Sequence, residues 1–225
     1  MTSKNLEAYI SNNWGPPQKT ISEISASNNS EPLVRSEKKM YCLDDICKDI
    51  YVPKYLPTSA DGLDFRPRCI HLIEFKSGFR DKITKENFDL DTAKCESKGD
   101  LCQDYWKSFR RVRELEKEAL VDSLRLKAIE SYITLDRCLL PLCEELPGKQ
   151  VRIKLTAVID AEESDTMEDM LAELAGKKAK SDNPYKNIRQ ALSRLQQQTD
   201  KKGKTYYYDE IEVISAQEYQ KRISE

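Results

Sequence analysis

Glycine is scarce in this chain, histidine almost absent, and no stretch stays apolar for long. With seven glycines in 225 residues, and neither G-x-x-x-x-G-K-[ST] nor G-x-G-x-x-G, the phosphate-cradling loops of nucleotide sites are excluded. The single histidine, His71, excludes paired-histidine zinc sites and HNH-type nuclease chemistry. It lies inside an apolar run, where a core or strand-edge role is the ordinary reading and a general base the rarer one. No run reaches the roughly 18 apolar residues of a spanning helix, and residues 1–18 lack an apolar signal core. No membrane partner is expected, and the cytoplasm is the default location.

Neither sign of charge dominates. Lysine and arginine number 37 against 39 aspartates and glutamates, so nothing pulls the whole molecule toward nucleic acid, and any such affinity must come from local patches. Cysteine is present but not arranged: the seven, at 42, 47, 69, 95, 102, 138 and 143, form no C-x-x-C. An odd number at these spacings fits reduced thiols better than a disulfide framework, a zinc site or an iron–sulfur cluster.

The chain reads as a polar N-terminal arm, residues 1–36, followed by one α/β domain, residues 37–225. Met40, Leu43, Ile46, Cys47 and Ile50 fall at helical spacing and predict a short helix over 37–50, ended before Pro53 and Pro57. Residues 60–65 and 69–76 flank a Pro-containing turn and predict a hairpin whose second strand, almost continuously apolar, is internal to a sheet. From Leu101 to about Leu140 two apolar stripes predict two long helices or one bent one, stopped by Pro141. Alternation over 151–159 predicts a half-exposed strand. Short helices over 167–174 and 188–195, a strand over 206–214 and a terminal helix complete the order.

Three further clusters are weak as function signals. Arg110, Arg111 and Arg113, and Lys177, Lys178 and Lys180, suit phosphate contacts, yet acids flank both groups and a solvated helix face is the commoner explanation. Tyr206, Tyr207 and Tyr208 suit base stacking, or simply a tyrosine-rich strand.

The informative stretch is the end of the apolar strand, Ile73-Glu-Phe-Lys-Ser-Gly78. Side chains alternate along a strand, so Glu74 and Lys76 project together while Phe75 packs behind them. A carboxylate and an ammonium side by side at a sheet end suit metal-assisted phosphodiester hydrolysis, which needs a second acid nearby. Across the hairpin stand Asp61 and Asp64. Glu74 and Lys76 are also explained by an ion pair on a strand emerging into solvent, and that reading stands beside the first.

With an acid on one strand and Glu74-Phe-Lys76 on the next, the segment resembles the PD-(D/E)XK nuclease superfamily. The resemblance covers about residues 37–160, leaving 161–225 as a C-terminal extension, and the proline of the motif is replaced by Ser59-Ala60 before Asp61. It implies a restriction-endonuclease-like fold: a central mixed sheet flanked by helices, with long helices between the motif strand and the next one. It implies a metal-dependent endo- or exonuclease acting on DNA. Asp61 and Glu74 would hold Mg²⁺ or Mn²⁺, and Lys76 would position the attacking water. Asp61 is preferred because Leu63 and Phe65 share its parity, with Asp64 the alternative. A further acid on the preceding helix is sought among Glu37, Asp44 and Asp45, Glu37 fitting the helix start best. Lys127, one turn from Glu130 on the long helix, is similar to the auxiliary polar residues of the family. Nucleic acid is then the partner, with a homodimer or protein partner left open. The competing reading is a non-catalytic interaction or structural module on the same fold.

Overall fold

A computed structural model describes residues 3–26, 31–79, 100–142, 151–160, 184–197, 201 and 207–224. The expected helix over 167–174, Tyr206 and the lysines at 177, 178 and 180 lie outside the described residues. Those described form an α/β fold on a mixed, open sheet of six strands, β1 (Lys19–Thr20), β2 (Lys39–Cys42), β3 (Gly62–Arg66), β4 (Cys69–Lys76), β5 (Arg152–Ile159) and β6 (Glu210–Ser215). Spatial order follows chain order. The first four strands pair antiparallel, then β5 joins β4 and β6 joins β5 in parallel. Parallel neighbours need long crossovers. α4 (Asp100–Thr134) lies within the first and α5 (Pro184–Gln197) within the second.

The remaining helices are α1 (Ser3–Trp14), α2 (Ile21–Ser25), α3 (Leu43–Ile50) and α6 (Ala216–Ser224). Sheet parity sorts the core into two layers. Ile70 and Leu72 of β4, with Leu63, Leu155 and Val213, pack against Leu6 and Ile10 of α1, Ile46 of α3, Leu124 and Ala128 of α4, and Ile188 and Leu192 of α5. Ile73 and Phe75 face the other way, with Val158 and Ile214, onto Ile21 of α2 and Tyr219 of α6. β4 is covered on both faces, which is why it reads as one apolar run.

The hairpin forms as its sequence predicts, closed through Arg68 at φ 59°. The long helix also forms as expected, running on through a π-helical turn at Leu135–Leu139 and a 3-10 turn at Leu140–Leu142. Pro141 cannot extend a regular helix, and the change of winding accommodates it.

Two expectations differ. The helix expected over 37–50 is β2 followed by α3, because Met40 and Tyr41 are drawn into the sheet beside β3 and only 43–50 winds. The first 36 residues, expected as a polar arm, supply three fully buried core side chains, Leu6, Ile10 and Ile21, and the edge strand β1. Thr20 and Glu23 form a reciprocal capping box at the start of α2. No helix among the described residues is long and apolar enough to cross a membrane.

Candidate active site

Parity carries Glu74 and Lys76 onto the face of β4 that looks toward α4, in line with Ile70 and Leu72. One strand over, Asp61 stands just before β3 on the same face as Leu63. Its carboxylate is aimed by the neighbouring strand, since the Phe75 N–H donates to Asp61 Oδ2 at 2.7 Å. The two acids therefore meet at one end of the central hairpin.

Lys127 completes the group from above. Its ammonium lies 3.1 Å from Asp61 Oδ1, 3.0 Å from Glu74 Oε2 and 2.9 Å from Glu74 Oε1. Only the first two contacts have hydrogen-bond geometry, and Glu74 Oε1 is buried with no hydrogen bond. The turns of α4 around Lys127 are tied to the loop before β3. Thr58 donates through its N–H and its hydroxyl to Glu130 Oε2, each at 2.6 Å. The Ala60 N–H donates to Ser131 Oγ at 2.7 Å, and that hydroxyl donates to the carbonyl of Lys127 at 2.5 Å. Lys76 Nζ donates to Ser123 Oγ at 3.1 Å, one turn before Lys127 on the same helix.

These side chains open into a pocket of about 510 Å³, lined among others by Asp44, Asp61, Glu74, Lys76 and Lys127. Asp44 arrives with the first turn of α3, whose Leu43 N–H donates to the carbonyl of Asp61 at 3.2 Å. Ser59 donates its hydroxyl to Asp44 Oδ1. Past β4, Asp160 receives the N–H groups of Gly78 and Phe79, each at 2.8 Å, and so fixes the turn that follows Lys76.

Burial dominates the electrostatics. Glu74 is 2% exposed, and desolvation, reinforced by the charge of Asp61, raises its carboxyl well above the ordinary range despite Lys127. Asp61 is raised for the same first reason, with Lys127 and the Phe75 N–H pulling the other way. Burial would lower Lys127, but the charges of Glu74 and Asp61 outweigh it and hold the ammonium protonated.

Of the residues expected at a site, the fold brings together Asp61, Glu74, Lys76 and Lys127. Asp64 is excluded by parity. It points to the opposite face and pairs with Arg66 at 3.3 Å. Glu37 is exposed on the extended segment before β2 and does not line the pocket, because the helix it was expected to start begins only at Leu43. Asp45 is held by Lys19 at 2.5 Å and Lys48 at 3.2 Å, which leaves Asp44 as the helix acid beside the site. His71 is buried on the far face with Nε2 2.7 Å from Thr156 Oγ1, a core histidine.

Lys19 and Glu23 also line the pocket, a role that the polar composition of the first 36 residues conceals. The spacing of Leu6, Tyr9 and Ile10, and the Thr-x-x-Glu signature at Thr20, were the available signals.

Among the described residues no group of three or more His, Cys, Asp or Glu is arranged to hold a metal. Two carboxylates that converge on a single cation position, one with an oxygen free of hydrogen bonds, nevertheless fit a hard divalent ion of the Mg²⁺ class. Such an ion commonly takes one or two protein carboxylates and fills the rest of its shell with water and substrate phosphate. Comparison with models of protein families, with curated proteins and with solved structures finds no match for this chain.

Proposed function

We propose that the chain is a metal-dependent nuclease, built on a restriction-endonuclease-like core, that hydrolyses phosphodiester bonds of DNA. The observation that carries this reading is the convergence of Asp61, Glu74 and Lys76 on one open pocket at the end of β3 and β4. It is supported by the arrangement around them: an acid-bearing helix before the hairpin, the hairpin itself, then a crossover containing α4 and a parallel strand.

Asp61 and Glu74 would hold the ion, with Asp44 near enough to add its charge. Bound there, the ion would polarise the phosphate and increase the acidity of a coordinated water. The chain's own groups do the rest. The Phe75 N–H keeps Asp61 turned inward, and burial among apolar neighbours keeps bulk water from Glu74. Lys76, steadied by Ser123, presents a donor at the pocket mouth that orients the attacking water and offsets the charge of the phosphate. Water adds across one P–O ester bond, leaving a phosphate monoester and a free hydroxyl.

The deciding assay is cleavage of plasmid, linear and single-stranded DNA with Mg²⁺ or Mn²⁺. The parent protein cuts, and Lys76→Ala and Glu74→Ala each lower the rate by about 10²-fold or more. A folded parent that cuts none of these with either metal overturns the reading.

One observation favours a second reading, a non-catalytic binding or structural module. Lys127 already forms ion pairs with both acids, so a cation stands between them without any metal. Metal binding separates the two.

A further inference from the structure

Lys127 sits where the ion would sit. Its ammonium is within 3.1 Å of both acids, at hydrogen-bonding distance between the oxygens that would hold the ion. An ammonium and a divalent ion cannot share that position. At a few ångströms their like charges repel strongly in a partly buried site, where water screens them little.

The surroundings let the side chain move while its backbone stays. Glu130 and Ser131 tie α4 to residues 58–60 through three hydrogen bonds, Ser131 donates in turn to the carbonyl of Lys127, and Tyr208 donates its hydroxyl to the carbonyl of Ala128 at 2.6 Å. The part of Lys127 free to move is its flexible stem of four methylenes. That side chain is 22% exposed against 3% for Glu74, so it reaches the site from the open side of the pocket. The pocket is also lined by Glu23 and Asp44, which give a released ammonium acidic neighbours.

We propose that Lys127 is an internal competitor for the metal position: its ammonium bridges Asp61 and Glu74 in the ion-free protein, and binding of a divalent cation expels it toward the pocket mouth. This rests on the metal-site reading above and adds to it a cost of metal entry. Lys127 is thereby a positioning residue that keeps the two acids together when no ion is present. Apparent affinity for the ion is lowered by the fraction of molecules in which the ammonium is seated, so a protein without it binds more tightly.

The test uses Mn²⁺ alone, with no DNA, followed by calorimetry on the full chain and on Lys127→Met. We expect the variant to bind about tenfold more tightly or better. Adding Glu74→Gln to that variant abolishes the gain, which locates the ion. Because two unpaired acids threaten the fold of Lys127→Met, the parent protein gives an independent measurement: mass-spectrometric acetylation of Lys127, slow without metal, rises several-fold at saturating Mn²⁺. Equal or weaker binding by a folded variant, or unchanged labelling of Lys127 in a parent that binds Mn²⁺, overturns the competition and leaves the metal site standing. Absence of binding in both proteins overturns the metal site itself, and the competition with it.

Discussion

Two buried ionisable groups on β4 face opposite ways and are handled differently. Glu74 is matched by a cation, whereas His71 is kept neutral. Burial first, then the charges of Arg66 and Lys154, hold its imidazole down to about 3 against an ordinary value of 6.5. A group whose folded value is depressed is protonated in the unfolded chain first as pH falls. Its contribution is therefore complete above about 6.5 and is lost progressively toward about 3, at up to about 1.4 kcal/mol per pH unit. His71→Gln removes this proton. Urea midpoints at pH 7, 6, 5 and 4 should show the advantage of the parent shrinking as pH falls, while a constant difference would mean that His71 does not titrate on unfolding. Parity explains why these roles were legible at all. Glu74 and Lys76 had to share a face, Asp61 had to share the face of Leu63, and His71 had to lie opposite. What a single sequence could not supply was Lys127 as the partner of both acids, because that contact spans 53 residues from Glu74 and 66 from Asp61 and depends on how α4 docks.

The elements around the site differ in how plainly they announce themselves. β4 and α4 are long and strongly patterned, and both were visible; β2 is four residues, and β1 two, too short for any period to emerge. Pairing with neighbours creates such strands, and pairing is a tertiary fact. The turn after β4 is equally short yet tightly specified. Gly78 has φ 106°, a conformation that side chains resist, and a Cβ there would stand 3.1 Å from Leu120 Cδ1. Its N–H is one of the two held by Asp160. Gly78→Ala should cost about 1–2 kcal/mol by urea denaturation and, on the nuclease reading proposed above, lower DNA cleavage through displacement of the end of β4. Unchanged stability would show that this turn adapts freely.

For the molecule as a whole, the first 18 residues matter more than their composition suggests. Leu6 and Ile10 are fully buried in the layer that includes the site helix, and Trp14 donates its indole N–H to Asp49 at 2.9 Å. Burying two such side chains is worth about 3–6 kcal/mol, a large share of the roughly 5–15 kcal/mol that holds a domain together. Deleting residues 1–18 should therefore lower the urea midpoint sharply or abolish cooperative unfolding. A loss under about 1 kcal/mol would restore the reading of this segment as a detachable arm.

Strand order that follows chain order has a consequence for how the molecule comes into being. The hairpin of β3 and β4 closes over a two-residue turn, long before the chain supplies Lys127. α1 and α3, which pack on the same face, precede the hairpin or lie just before it in the chain, whereas the helix that carries Lys127 follows it. The helix that takes water from the two acids also brings them an ammonium, so the element that desolvates Asp61 and Glu74 carries its own partial compensation.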